Sequence, residues 1–363
     1  MHWNGRPNRL AGLSQADWAW QTSVMKHLLL TAVAAASLIL PASAEEPAPI
    51  PSPVEIAAAA PASDWIAIAP SDLLVMDLAP DAKGKPRRVV IQMMPAPFSQ
   101  DWIGNIRKLA AAHWWDGTSI NRVQDNYVAQ WGDATEKKAL PTGLTVTREE
   151  AYTVGFKSLA RRGMPGKWNI ELSPLDGASQ GILVGPAKEG DDAYSSGNLF
   201  WKGWPLALKR DVKDDGIFVS KIDVWPVHCY AAVGVGRNLS PDAGSGAELY
   251  TVIGHAPRHL DRNIAVVGRV ISGIGHLSSL PRGTGGLGFY EDAAERVGIT
   301  SIRVATELPV AQQPRFEYLS TESDAFARYA EARENRRDPF FIKPAGGADI
   351  CNIPVPVRPV AAK

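Results

Sequence analysis

The stretch His113-Trp114-Trp115-Asp116-Gly117-Thr118-Ser119-Ile120-Asn121-Arg122-Val123-Gln124-Asp125-Asn126-Tyr127-Val128-Ala129-Gln130-Trp131-Gly132-Asp133 decides how this chain is read. It opens on an Asp-Gly turn, enters a β-rich segment over Ser119–Val123, turns again at Asp125-Asn126 and returns over Tyr127–Trp131, the pattern of a hairpin. Side chains two apart on a strand share a face, so Arg122, Val128 and Gln130 are expected on one side. One cation and one amide above an apolar floor suit a neutral peptide better than a phosphate or a sugar acid. Taken alone, the run has a second reading: an arginine salt-bridged on a barrel rim above a Trp-rich core, the commoner fate of an arginine.

Upstream, Leu73–Leu78 and Arg88–Met94 are β-rich runs joined through Pro80-Asp81 and Lys83-Gly84, a second hairpin. Ser99 stands as an N-cap with Asp101 in the first helical turn. Trp102, Ile103, Ile106, Leu109 and Ala110 then recur at helical spacing, so the helix buries one face and ends before Asp116-Gly117. Downstream, short strands are expected at Glu248–Ile253, Ile264–Ile271 and Ile299–Ala305, with a second helix over Gly273–Leu280. Many short strands with few helices predict a mainly β fold, a closed barrel or a sandwich. From 141 to 226 the periodicity is poor, and that stretch reads as a large insertion with some structure of its own. A charged helix is expected over Thr321–Arg337, within a C-terminal extension spanning 311–363.

The chain has 363 residues, with 38 Lys+Arg against 38 Asp+Glu. A nucleic-acid binder would carry a basic excess, so that class is excluded. Hydrophobic residues make up 45% of the sequence, enough for a substantial core. Met25-Lys26-His27, the apolar run Leu28–Leu40 and Pro41-Ala42-Ser43-Ala44 have the layout of a secretory signal peptide. Residues 1–44 are therefore expected to be removed, with 1–24 lying upstream of a start at Met25. The apolar run is shorter than the about 20 residues a bilayer requires, and no later one reaches about 18, so no membrane span is expected. The alanine- and proline-rich segment 45–63 reads as an extended linker. The main domain is placed at 64–310. The expected product is exported, and periplasmic if the source is Gram-negative.

Two separated motifs resemble the cyclophilins. The run quoted above is similar to the family's Asp-Gly, Asn-Arg-Val and Phe-Met-x-Gln-x-Gly-Asp pattern. Gly246-Ala247-Glu248-Leu249-Tyr250-Thr251, then His259-Leu260-Asp261, then Val266-Val267-Gly268-Arg269-Val270 are similar to its Gly-Ser-Gln-Phe-Phe-Ile, Leu-Asp and Val-Phe-Gly-Arg-Val. The matched stretches span roughly 73–140 and 227–308. The resemblance implies a closed eight-stranded antiparallel β-barrel capped by two α-helices, with peptidyl-prolyl cis-trans isomerase activity and no metal or cofactor. It places Arg122 as the catalytic residue, donating to the proline nitrogen as the bond twists. Tyr127, Val128, Tyr250 and Leu260 take the positions that line the proline pocket. Gln130 takes that of the glutamine orienting the arginine, and Glu248 and His259 complete the substrate-binding set. The implied partners are unfolded or extended proline-containing polypeptides, met by a monomer.

Departures from the pattern feed a competing reading, a catalytically weak or inactive cyclophilin-like chaperone. Glu248 replaces the usual glutamine and could pair with Arg122, blunting its action. Ile264 replaces a pocket histidine of many eukaryotic members. Gly283-Thr284-Gly285-Gly286-Leu287-Gly288 satisfies a dinucleotide-binding pattern but follows no strand, so it is read as a glycine-rich surface loop. His255 and His259 are four apart, but Pro257 between them rules out a helical metal pair. Cys229 and Cys351 are either a disulfide stapling the C-terminal tail to the barrel or two buried thiols.

Overall fold

In the computed structural model, which describes residues 49–156, 171–175, 179–183, 192–212 and 219–360, eight strands close into an antiparallel barrel. They are β1 (Leu73–Leu78), β2 (Arg87–Met93), β3 (Ser119–Val123), β4 (Val128–Gly132), β5 (Ala232–Val235), β6 (Leu249–Val252), β7 (Val266–Ser272) and β8 (Val297–Val304). Their order around the barrel is β5-β6-β4-β3-β8-β1-β2-β7, with β7 pairing back to β5. The expected hairpins are β1–β2 and β3–β4. The first is closed by Asp81, whose carboxylate accepts the N–H of Lys83 and Lys85, and by Gly84 in the left-handed region. The second turns on Asn126, also left-handed, whose side chain accepts the His255 N–H.

Among the described residues four α-helices accompany the barrel: α1 (Pro53–Ala58), α2 (Gln100–Ala111), α3 (Gly275–Ser278) and α4 (Asp324–Glu334). All five residues expected on the buried face of α2 are buried. Ser99 precedes that helix but does not cap it. Its backbone is left-handed, and its hydroxyl donates instead to the Val266 carbonyl at 2.8 Å, fastening the helix entrance to β7. The second expected helix is a single turn, α3, between left-handed Gly273 and Pro281. Both residues interrupt a helix, the first by its conformation and the second by its ring.

The leader expected over 1–44 lies outside the described residues. From Pro53 onward, the extended linker expected over 45–63 is replaced by α1. Ser52 and Glu55 cap it reciprocally and Pro53 sits at its first position, so local chemistry favours a helix there. Ala57 and Ala60 pack with Phe326 and Tyr329 of α4. Alanine is among the best helix formers, and its small side chain lets two helices approach closely.

The 141–226 insertion contributes a four-stranded sheet in the order Val154–Gly155, Val219–Pro226, Trp204–Val212 and Gly197–Trp201. Its buried side chains alternate between two cores. Leu199, Trp201, Leu206, Leu208 and Val224 join the barrel cluster. Phe200, Ala207 and Trp225 join a second cluster with α1, α4 and the C-terminal tail. A sheet buried on both faces loses the hydrophobic-polar alternation that marks a half-exposed one, which explains the weak periodicity of this stretch. The insertion is thus an inner layer between barrel and tail. Where the chain returns to β5, Cys229 is disulfide-bonded to Cys351. Among the described residues no helix is long and apolar enough to cross a membrane.

Candidate active site

Register brings the site together. Arg122 on β3 lies opposite Gln130 on β4, and Gln130 lies opposite Tyr250 on β6. The guanidinium of Arg122 is half-buried and held along its edge by three oxygens. Nε donates to the Leu287 carbonyl at 2.7 Å, Nη1 to Gln130 Oε1 at 3.1 Å, and Nη2 to Gln124 Oε1. The faces of Tyr127 and Phe289 lie 5.7 and 5.4 Å from it. All these partners are neutral, so the positive charge is oriented without being cancelled. Burial pulls the guanidinium below its ordinary pKa, with Tyr127 and Tyr250 opposing, yet an arginine stays charged at neutral pH. Of its five N–H groups three are engaged, leaving two.

Around Arg122 the expected pocket residues fall into a rim and a floor. Tyr127, Leu260 and the exposed His259 form the rim, where the Tyr127 and His259 rings stack with centroids 6.4 Å apart. Val128 and Tyr250 are buried beneath. Burial raises the Tyr127 phenol, against the pull of Arg122, and raises that of Tyr250 much further. The Tyr250 hydroxyl does not face the pocket. It lies over Gly234, where a Cβ would collide with it, and meets His228 Nε2 at 2.9 Å. His228 Nδ1 meets Asp261 Oδ1 at 2.9 Å. Asp261 Oδ2 accepts from Arg258 Nε at 2.7 Å, and Arg258 Nη2 reaches Asp192 at 2.8 Å.

Glu248 does not pair with Arg122 as the sequence suggested. Its Oε1 accepts the Asp133 N–H at 2.8 Å. It is drawn there because Gly132, opposite, has no side chain: a Cβ would fall on the carboxylate. The tryptophans near Arg122 are likewise not pocket groups. Trp102, Trp115 and Trp131 are wholly buried, and the first two donate to the carbonyls of Ala243, Gly244 and Ala247.

Sequence reasoning missed Leu287, Phe289, Gln124 and His228. The first two belong to the glycine-rich loop, whose glycines now have a reason. Gly283 donates to the Val123 carbonyl, and Gly288, left-handed, rests on Gln124 so closely that a Cβ would sit 2.7 Å from its Cα. The loop backs the guanidinium, and only its glycine content signalled a close approach. Nothing in the sequence pointed to His228.

With the geometry in view, the chain was compared with known proteins. Residues 89–304 match the family model described as cyclophilin type peptidyl-prolyl cis-trans isomerase/CLD. No curated protein matches the chain. Among solved structures, the cyclophilin AquaCyp293 from Hirschia baltica is 20% identical with a TM-score of 0.56, over 82% of this chain and 94% of that one. That likeness concerns the fold. A Cryptosporidium parvum cyclophilin type peptidyl-prolyl cis-trans isomerase, solved in the presence of the dipeptide Ala-Pro, is 11% identical over 63% of this chain and 97% of its own; its TM-score of 0.31 is too low to carry an argument. The family match spans more than half of the sequence, and it establishes that this chain belongs to the cyclophilin-type peptidyl-prolyl cis-trans isomerase family.

Proposed function

We propose that this chain is an active prolyl isomerase that acts as a monomer on X-Pro bonds of unfolded or extended exported polypeptides, with Arg122 as its catalytic residue. The observation that carries this reading is the state of Arg122: charged, half-buried, fixed by three neutral acceptors, with two N–H groups left beside an aromatic rim. An X-Pro bond rotates slowly because its amide resonance must be broken, over a barrier of roughly 18–20 kcal/mol. In the twisted state the proline nitrogen is pyramidal and basic. A guanidinium that donates to it favours that state over both planar isomers, and each ~1.4 kcal/mol so gained is tenfold in rate. In this reading Tyr127, Leu260 and His259 embrace the proline ring, Val128 and Tyr250 support them from below, and Gln130 steadies Arg122.

Glu248 was the departure that favoured a binding-only relative, and its carboxylate accepts the Asp133 N–H instead of pairing with the guanidinium. Export is supported by the leader pattern at 25–44 and by the Cys229–Cys351 disulfide, which belongs to an oxidising compartment. The test is isomerisation of a short X-Pro peptide by wild type and Arg122→Ala. We expect acceleration by wild type and a loss of about 100-fold or more in the variant, the size of effect seen when one electrostatic donor is removed. No acceleration by wild type, or an Arg122→Ala as fast as wild type, rejects the assignment.

A further inference from the structure

Arg269 on β7 is a part-buried cation with no counter-ion among the described residues. Its register partner on β2 is Gln92, whose Oε1 accepts from Nε at 3.0 Å and from Nη2 at 2.8 Å. Nη1 donates to the Gly203 carbonyl at 2.7 Å, and the Trp204 ring lies 4.5 Å from the guanidinium. Three of its five N–H groups are thus engaged, all by neutral oxygens, and two are left. Burial pulls its pKa down to about 10, with Tyr318 opposing, so it keeps its charge at neutral pH. A charge withdrawn from water without an opposite partner destabilises the fold until something neutralises it.

The same arginine lines a cavity of about 330 Å³ where the barrel, the insertion and the C-terminal extension meet. Most of its wall is apolar: Val270 and Ile271 come from β7, Val227 from the end of the insertion, and Ile350 and Val355 from the extension. The other charged group on the wall is Arg333 of α4, also a cation, whose Nε donates to the Asn352 carbonyl at 2.7 Å. Among the described residues no Asp or Glu lines it. Tyr230, which does, is exposed and gives a way in from solvent. The volume falls at the low end of the roughly 300–1,000 Å³ of small-molecule sites. An inorganic anion would leave the apolar wall unfilled, and a neutral hydrocarbon would leave the guanidinium unpaired. An aliphatic chain ending in one negative charge answers both.

We propose that this cavity binds a small aliphatic carboxylate, of the class of a medium-chain fatty acid, with its carboxylate on Arg269 and its chain against Val270, Ile350 and Val355. The site shares no residue with the Arg122 pocket. Its wall comes from the insertion and the extension as much as from the barrel, so a bare barrel would not possess it.

The test is calorimetric titration of the protein at pH 7 with octanoate, beside octanol and octylamine, which keep the chain but remove or reverse the charge. Octanoate should bind roughly tenfold or more tightly than octanol, the worth of one charge-assisted hydrogen bond, and octylamine should bind more weakly than either. Arg269→Met keeps most of the volume beside Trp204 and should lose the preference for octanoate while octanol binding stays. Arg122→Ala should bind octanoate as wild type does. The proposal is overturned by equal affinity for octanoate and octanol, by no octanoate binding in the millimolar range, or by an Arg269→Met that keeps the preference. Loss of octanoate binding in Arg122→Ala would place the carboxylate in the Arg122 pocket and overturn it as well. Should Arg269→Met not fold, the NMR spectrum of wild type decides. Octanoate should shift the Arg269 Nε–H and the Val355 methyl resonances, and resonances that stay still in millimolar octanoate refute the site.

Discussion

Arg258→Met tests how the wall of the pocket is held. Arg258 opens the 3-10 turn Arg258–Leu260, so it is the neighbour of the rim residue His259. Its side chain is 3% exposed and donates to Asp261 at 2.7 Å and Asp192 at 2.8 Å, themselves 2% and 10% exposed. Methionine fills most of the volume but leaves two buried carboxylates without a cation. Breaking a buried pair in this way costs about 3–5 kcal/mol. At roughly 2–4 °C per kcal/mol for a domain of this size, Tm should fall by roughly 6–20 °C.

The pH dependence separates this cause from simple loss of packing. Burial alone would raise the Asp192 carboxyl, but hydrogen bonds from Ser195, the Tyr194 N–H and Arg258 outweigh it and hold it below the ordinary range. A carboxyl lowered in the folded state stabilises the protein above its unfolded pKa, and that stability is lost as pH falls through the folded value. In the variant the Arg258 contribution is gone, so burial raises the Asp192 carboxyl and protonation relieves it. The stability gap between wild type and Arg258→Met should therefore be widest near pH 7 and shrink toward pH 4. Urea unfolding at both pH values measures it. A gap under about 1 kcal/mol at pH 7, or one of equal size at both, refutes the argument.

Three further outcomes follow from single contacts. Gly288→Val, at a left-handed position resting on Gln124, should dislodge the Leu287 carbonyl from Arg122 and reduce kcat/KM by roughly tenfold or more, with a stability loss of only about 1–3 kcal/mol. Activity and Tm measured together check that proportion. Tyr250→Phe leaves the buried His228 Nε2 without its partner and should lower unfolding free energy by about 1–3 kcal/mol in a denaturant titration. Cys229→Ser with Cys351→Ser opens a link across 122 residues of sequence and should cost about 2–4 kcal/mol. Dithiothreitol should lower the urea midpoint of wild type by the same amount and leave the double variant unmoved.

The parts of the fold that were legible carry a local signal: α2 repeats its buried residues at helical spacing, and the β1–β2 and β3–β4 hairpins are marked by the turn residues between their strands. β5 escaped notice for the opposite reason: Ala232-Val233-Gly234-Val235 is too small and too glycine-rich to read as a strand. Its glycine is demanded by a neighbour, since the Tyr250 hydroxyl occupies the space where a Gly234 side chain would be. In the site, Arg122, Gln130 and Tyr127 were legible because they sit in one continuous motif. Leu287 was not, because it acts through its backbone carbonyl, which no residue type announces. Glu248 was found but misplaced. Its partner in space is the amide of Asp133, reached only because Gly132 leaves room.

Arg258 also gives the added layers a role beyond bulk. Its three carboxylates come from different parts of the chain: Asp261 from the pocket loop itself, Asp192 from the insertion, and Asp349, at 3.5 Å, from the C-terminal extension. The Cys229–Cys351 disulfide ties that extension to the strand entering β5, one residue from His228, which bridges Asp261 to Tyr250. A bare barrel would leave the loop 257–261 as an exposed connection, the kind of segment that is most mobile in a fold. Here its arginine and aspartate are buried under two extra layers, so the residues that follow Arg258 are carried on an anchored turn. Under the proposed function, such a fixed wall holds the bound chain beside Arg122 while a single bond rotates, so the guanidinium keeps its place relative to the proline nitrogen.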